Sequence, residues 1–371
     1  MGLKINTCVP ILTTITRGNH NLGDTFIGLG MQYLFERVVD HPKWLIVSKF
    51  DGTDGVRQFE EYIREAGFMI FAGMPQYHDF NVRTDWHDDK LWEEVVQPWN
   101  VKMFTMAGGS GGLGPDVTPK EFTRHCLTVY NGINIAPRLL QYRKDHSVAI
   151  TTRDLPAHKL LQSAMVSNEL LPCSATFATH KYGIKPAPNR NYVGLVLPQF
   201  PMVRLDDIPD QYKQTNGDPT EIKKKFVLEQ FADIYNTLIK SGQHPKIICH
   251  ERSEFDAVKS IIDVKDVFFS TDYFATLKFY SYCHSVISAR LHGCLPAYGI
   301  PGTKVVGISV DVRGQAVRLF PKIRDFSMGK FTTEEVIDAL KAAQPSTSED
   351  LAPWLQKYDN IILKGFKNLG Y

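Results

Sequence analysis

The stretch Ser285-Val286-Ile287-Ser288-Ala289-Arg290-Leu291-His292-Gly293-Cys294-Leu295-Pro296-Ala297-Tyr298-Gly299-Ile300-Pro301 decides the architecture. Its apolar run at Ser285 to Ser288 reads as a strand, a helix opens at once, and after a Gly/Pro break the next apolar run, Lys304 to Ile308, reads as a second strand. Strand, crossover helix and strand make a parallel unit, and the same alternation extends outward in both directions. Toward the C-terminus Thr332 to Ala343 reads as a closing helix. Toward the N-terminus lie strands at Tyr192 to Leu197, Lys246 to Cys249 and Val267 to Phe269, with helices at Thr220 to Lys240 and Glu254 to Ile262. The segment from Arg204 to Asp218 is polar, turn-rich and without period.

Upstream, Lys181-Tyr182-Gly183-Ile184-Lys185-Pro186-Ala187-Pro188-Asn189-Arg190 is too rich in Pro and polar groups to continue an element. Before it the alternation begins afresh. Strands are expected at Ile5 to Thr13, Trp44 to Ser48, Phe68 to Ala72, Val101 to Ala107 and Ser147 to Thr151. Helices are expected at Asp24 to Val39, Gly55 to Ala66, Pro119 to Arg143 and Leu155 to Val166. The expected class is α/β, with two Rossmann-like domains facing across a cleft: residues 1–180, a linker at 181–191, and residues 192–330. A helical segment over residues 331–371 carries Trp354, Tyr358 and Leu363 to pack back across the junction. A length of 371 residues also calls for more than one compact core.

Composition bounds the partners. Forty-two Lys and Arg against forty Asp and Glu leave a net charge of +2, which excludes a general polyanion binder yet permits a local cationic pocket. No nucleic-acid partner is expected. No run approaches the ~18 apolar residues of a spanning helix, and polar residues come too early for a signal peptide, so a soluble, cytoplasmic chain is expected. The six cysteines are widely spaced, without metal-ligand or redox spacing, as in reduced core thiols. No myristoylation pattern or glycosylation sequon occurs.

Sheets of this kind bind ligands at the carboxyl ends of their strands, so candidate sites are sought there. Asn19-His20-Asn21-Leu22-Gly23-Asp24 follows the first strand: Asn21 and Asp24 either face a ligand or serve as a turn residue and a helix cap. Gly108-Gly109-Ser110-Gly111-Gly112-Leu113-Gly114 contains G-x-G-x-x-G, but it follows a mid-domain strand and lacks the acidic residue of a dinucleotide site. Gly108, Gly109 and Gly111 remain an amide cradle for an anion or a sugar, or a tight turn. Arg153-Asp154 is an anion clamp or an ion pair. The richest combination is Arg290-Leu291-His292-Gly293, a planar cation and a titratable imidazole where a strand meets a helix N-terminus. Asp311 and Arg313 end the next strand. P-loop, H-E-x-x-H and G-x-S-x-G patterns are absent, as is an Asp-x-Asp pair, so neither a metal nor a covalent nucleophile is expected.

At these residues the chain resembles the polysaccharide pyruvyl transferase family. The resemblance follows chain order: Asn21-Leu22-Gly23-Asp24, the Gly108 to Gly112 loop, Arg153-Asp154, Pro172-Cys173-Ser174-Ala175, His250-Glu251-Arg252-Ser253-Glu254-Phe255-Asp256, and Ser288-Ala289-Arg290-Leu291-His292-Gly293. It implies a paired Rossmann fold of glycosyltransferase type and transfer of the pyruvyl unit of phosphoenolpyruvate, a co-substrate rather than a cofactor, to a sugar or glycan as a cyclic ketal. It further implies Arg290 and His292 as catalytic residues. Arg290, Gly293, Arg313 and Arg153 would bind the donor, and Asn21, Asp24 and the glycine loop would lie on the acceptor side, in the first domain. Ser110 interrupts the glycine run, and Trp86-His87-Asp88-Asp89 matches nothing in the family. A lipid-linked acceptor would bring the chain to a membrane surface without a spanning segment. Two other readings remain open: a nucleotide-sugar glycosyltransferase whose Arg290 and His292 contact the diphosphate, and a non-catalytic glycan-binding relative.

Overall fold

The computed structural model describes residues 8–13, 21–48, 52–77, 89–128, 136–213 and 218–371. Within them, strands β1 (Cys8–Thr13), β2 (Lys43–Ser48), β3 (Phe68–Ala72), β4 (Lys102–Gly108), β5 (Ser147–Thr152) and β6 (Glu169–Leu170) form one sheet. A second contains β7 (Tyr192–Val196), β8 (His244–Cys249), β9 (Val267–Phe269), β10 (Cys283–Ser288), β11 (Lys304–Ser309) and β12 (Arg324–Ser327). Every pairing is parallel. Helices cover both faces of such sheets, which is why β3, Phe-Met-Ile-Phe-Ala, is buried at every residue instead of alternating.

The first sheet runs β2-β1-β3-β4-β5-β6, and its order reverses between β1 and β3. The second runs β12-β11-β10-β7-β8-β9, the dinucleotide-fold order, with its reversal between β7 and β10. At such a reversal the crossover helices leave on opposite faces and open a crevice at the strand ends. The fold is therefore two Rossmann-like domains, each offering its crevice to the other.

The domains share a seam of apolar packing. One contiguous core runs from Phe26, Leu34 and Phe104 through Ala175 and Phe177 to Leu295, Tyr298 and Val286. The turn Ser174–Phe177 wedges against the helix Leu22–Glu36, where a Cβ on Gly30 would lie 1.7 Å from the Ser174 carbonyl oxygen. The closing helix Ser348–Asn368 follows the second domain in sequence but lies on the first. Its Phe366 packs against Phe68 and Phe104 at ring separations of 5.4 and 5.0 Å, and its Asp359 holds Arg37 bidentately.

Some elements differ from the sequence expectation. The helix read from Pro119 to Arg143 is two, Pro119–Leu127 and Ala136–His146. The first stops where Thr128 turns extended and bonds back to the Arg124 carbonyl. The helix read from Gly55 to Ala66 is also two, Gly52–Arg57 and Glu60–Ala66, parted at Phe59. The edge strands β6 and β12 escaped notice because an edge needs little apolar character: Arg324-Asp325-Phe326-Ser327 is mostly polar. Asn19, His20 and Trp86-His87-Asp88 lie outside the described residues.

Candidate functional site

Arg290 follows β10, at the switch point of the second sheet, as the residue before the helix Leu291–Tyr298. The Ser288 hydroxyl fixes this turn, accepting from the Arg290 amide at 3.1 Å and donating to the Arg290 carbonyl at 2.8 Å. A Cβ on Gly293 would meet that hydroxyl at 2.3 Å, so a glycine lets the helix start this close to the strand. The Arg290 guanidinium, only 7% exposed, is fully engaged. Nε donates to the Leu197 carbonyl at 3.2 Å and to Glu254 at 2.8 Å, while Nη2 pairs with Glu254 and, at 3.1 Å, with Glu251. Nη1 crosses to the first domain and donates to Asn21 Oδ1 at 3.1 Å. Glu254, on the helix after β8, is buried, and burial pushes its carboxyl up to about 7 despite the pull of Arg290.

His292 reaches from the second domain into the first. Its Nε2 lies 3.8 Å from the Cys173 sulfur, and a Cβ on Gly23 would stand 2.8 Å from its Nδ1. Burial, reinforced by the guanidiniums of Arg153 and Arg313, His250 and Arg290, holds the imidazole well below its ordinary range. It is a neutral ring, suited to accept a proton. Behind it, His250 is buried, bonded through Nε2 to the Tyr280 hydroxyl at 2.7 Å and kept neutral by burial and Arg290.

The first domain supplies the opposite face. Asn21 caps the helix Leu22–Glu36, accepting from the Gly23 amide at 3.0 Å while it holds Arg290. Asp24, half-buried in the first helical turn, is raised to about 6 by burial, against the attraction of Arg313, Arg290 and Arg153 and with Glu251 adding to the rise. Arg313 is clasped by its neighbour Asp311, Nε to Oδ2 at 2.7 Å and Nη2 to Oδ2 at 2.6 Å.

The glycine loop is bound to β5's end. Gly108 accepts from the Arg153 amide at 3.0 Å, Ser110 donates its amide to Asp154 at 2.9 Å, and a Cβ on Gly109 would sit 2.2 Å from Arg153 Nε. Gly111 is buried within the same loop. Ala107 and Met74 flank it with positive φ of 54° and 66°, backbone strain retained beside the cleft. Asp154 caps the next helix, accepting from Ala157 N at 3.0 Å, and burial raises its carboxyl against the pull of Arg153. Between the two alternatives for Arg153-Asp154, an ion pair is not what forms among the described residues. Arg153 is 1% exposed, its Nε has no hydrogen-bond partner, and its Nη1 lies 3.8 Å from the Cys173 sulfur.

The structure thus gathers Asn21, Asp24, Arg153, Arg290, His292 and Arg313 along one seam, with Gly108 to Gly111 against Arg153 and Gly293 behind Arg290. The sequence marks Cys173 only as a reduced core thiol and gives no role to Glu251 or Glu254. The signal available for the last two was their Glu-x-x-Glu capping box directly after β8. Among the described residues no group of three His, Cys, Asp or Glu side chains could hold a metal ion, and no helix is long and apolar enough to cross a membrane.

The architecture is two facing Rossmann-like domains with a cationic, titratable seam between them. The family model described as polysaccharide pyruvyl transferase matches residues 21–311; the chain belongs to that family and is a transferase. No curated protein matches the chain. Among solved structures it is similar to a putative UDP-N-acetylglucosamine 2-epimerase from Listeria monocytogenes, at TM-score 0.49 and 9% identity over 96% of this chain and 95% of that one. A UDP-GlcNAc 2-epimerase from Methanocaldococcus jannaschii gives TM-score 0.48 and 10% identity over 92% of each chain. The E. coli heptosyltransferase WaaC with ADP gives TM-score 0.46 and 9% identity, covering 92% of this chain and 99% of that one.

Proposed function

We propose that the protein transfers the pyruvyl unit of phosphoenolpyruvate to two hydroxyls of a sugar or glycan, forming a cyclic ketal, in the cytoplasm. The observation that carries this reading is the convergence of a buried, unpaired guanidinium and a neutral imidazole on one sulfur: Arg153 and His292 both lie 3.8 Å from Cys173. A small, highly charged donor needs fixed positive charge that side-chain carboxylates have not already neutralised. Arg153 supplies it, and the glycine loop brings bare backbone against the same guanidinium.

The chemistry follows from the donor. Protonation at C3 of the enol ether builds oxocarbenium character at C2, where the first hydroxyl adds. Loss of phosphate regenerates the cation, and the second hydroxyl closes the ring. Neutral His292 takes the proton of the first hydroxyl and returns it to the departing phosphate, while Arg153 stabilises the charge leaving with it. Arg290, neutralised by Glu251 and Glu254, aligns the helix that carries His292 and ties it to Asn21. Positive charge comes from arginines in this scheme, so the reaction is drawn without a metal.

The test is phosphate release from phosphoenolpyruvate with a panel of pyranosides bearing free 4,6- or 3,4-diols, together with mass spectrometry of the acceptor. A ketal with pyruvate is the expected product. Calorimetric binding of uridine-diphosphate sugars without binding of phosphoenolpyruvate would instead assign a glycosyltransferase.

A further inference from the structure

The reaction moves two protons, and His292 accounts for the one that travels between oxygens. The other ends in the methyl group of the ketal and needs its own source. We propose that Asp24 is that source, the acid that protonates C3, so that acid and base stand on separate domains. The inference rests on the pyruvyl-transfer reading above.

The geometry selects Asp24 from the carboxyls of the seam. Glu254 and Glu251 are spent on Arg290, Asp311 on Arg313, and Asp154 on the amides of Ser110 and Ala157. The Asp24 carboxylate alone of these makes no hydrogen bond or ion pair to another described residue, and it remains half-buried rather than sealed. It shares a helical turn with Gly23, which abuts His292, and follows Asn21, which holds Arg290. The charged groups facing it are Arg313 after β11, Arg290 after β10, Arg153 after β5 and Glu251 after β8. Those facing His292 are Arg153, Arg313 and Arg290, with the titratable but neutral His250 beside them.

This field makes the proton state depend on the donor. Without ligand, the arginines oppose the rise that burial imposes on Asp24. A bound phosphate and carboxylate engage Arg153, weaken its attraction for Asp24 and add repulsion of their own, so the carboxyl holds its proton near neutral pH. Burial, the largest cause of the fall at His292, persists when the donor binds and keeps the imidazole unprotonated. Two groups of one seam driven to opposite protonation states are suited to serve as acid and base.

The protons balance. Asp24 gives its proton to C3 as the first hydroxyl bonds to C2 and passes its own to His292. The C2–O bond to phosphate breaks, and His292 returns its proton to the phosphate. The second hydroxyl then bonds to C2 and delivers its proton to the Asp24 carboxylate, restoring both residues.

The experiment is the pH dependence of kcat, from about pH 5 to 9, for phosphate release with phosphoenolpyruvate and the diol panel. Wild type gives an alkaline limb that belongs to Asp24. Asp24→Asn lowers kcat by about 100-fold or more and abolishes the alkaline limb, while calorimetry shows phosphoenolpyruvate bound at least as tightly. Asp24→Glu restores part of the rate with the limb displaced, and it carries the test if the Asn variant is unstable. An Asp24→Asn enzyme that keeps its alkaline limb, or loses only acceptor KM, overturns the proposal and leaves pyruvyl transfer standing. A wild-type protein that releases no phosphate with any diol overturns both.

Discussion

Arg153 and Arg290 each stand just past a strand end, β5 in the first domain and the switch-point strand β10 in the second, and each is nearly sealed from solvent, yet they are held in opposite ways. Arg290 is met by two carboxylates, a backbone carbonyl and Asn21. Arg153 is met by a thiol at 3.8 Å, and its adjacent Asp154 is consumed in capping a helix. A buried ion pair exchanges desolvation for mutual attraction and leaves little field for a ligand, whereas an unpaired buried cation keeps its whole field. In the proposed scheme the second domain's arginine therefore organises the site, and the first domain's holds the anion.

The comparison breaks most visibly at the residue lying between the two. His292→Ala should lower turnover by about 10²- to 10⁴-fold in a protein that still binds phosphoenolpyruvate, read by single-turnover kinetics. Next comes Arg290→Ala, which strands the buried Glu254 carboxyl and the half-buried Glu251 and should cost about 3 to 5 kcal/mol of unfolding free energy at pH 8. A loss confined to donor affinity, with stability unchanged, would mean that Arg290 is the free cation after all. Arg153→Met should do the reverse. Donor affinity should fall about 10- to 100-fold, in line with the ~1.5 to 3 kcal/mol of a charged hydrogen bond, while the melting temperature holds or rises.

Glu254→Gln gives a smaller, pH-shaped effect. Burial raises Glu254 from 4.5 to about 7 in the folded state, so the unfolded chain ionises first and this group removes stability as pH climbs between those values. The variant should therefore gain stability relative to wild type between pH 4.5 and about 7 and stay level above, measured by urea unfolding. Smallest is Asp24→Asn in the ligand-free protein. With the Asp24 carboxyl raised to about 6, removing it should lift the melting temperature at pH 8 and leave it unchanged at pH 4.

The alternation of strand and helix was legible because parallel strands buried on both faces leave continuous apolar runs, of which Phe68 to Ala72 is the plainest. The strand ends were legible too: Arg153, Arg290, His292 and Arg313 all stand where the sheet rules direct attention. The pairing of the two arginines was not. Glu254 meets Arg290 from 36 residues away in sequence, through packing between the ends of β8 and β10 that no local pattern encodes. Asp154 looks like a partner for Arg153 until the helix beginning at Leu155 claims it. The breaks in the helices at Phe59 and Thr128 were hidden for a related reason, since polar helical period continues across both.

The central claim is that the cation free to hold the donor is Arg153. Calorimetric titration of phosphoenolpyruvate into the wild-type protein and into Arg153→Met tests it most directly. Binding to wild type, weakened about 10-fold or more in a variant of undiminished melting temperature, is the predicted result. Equal binding by the two proteins would contradict it.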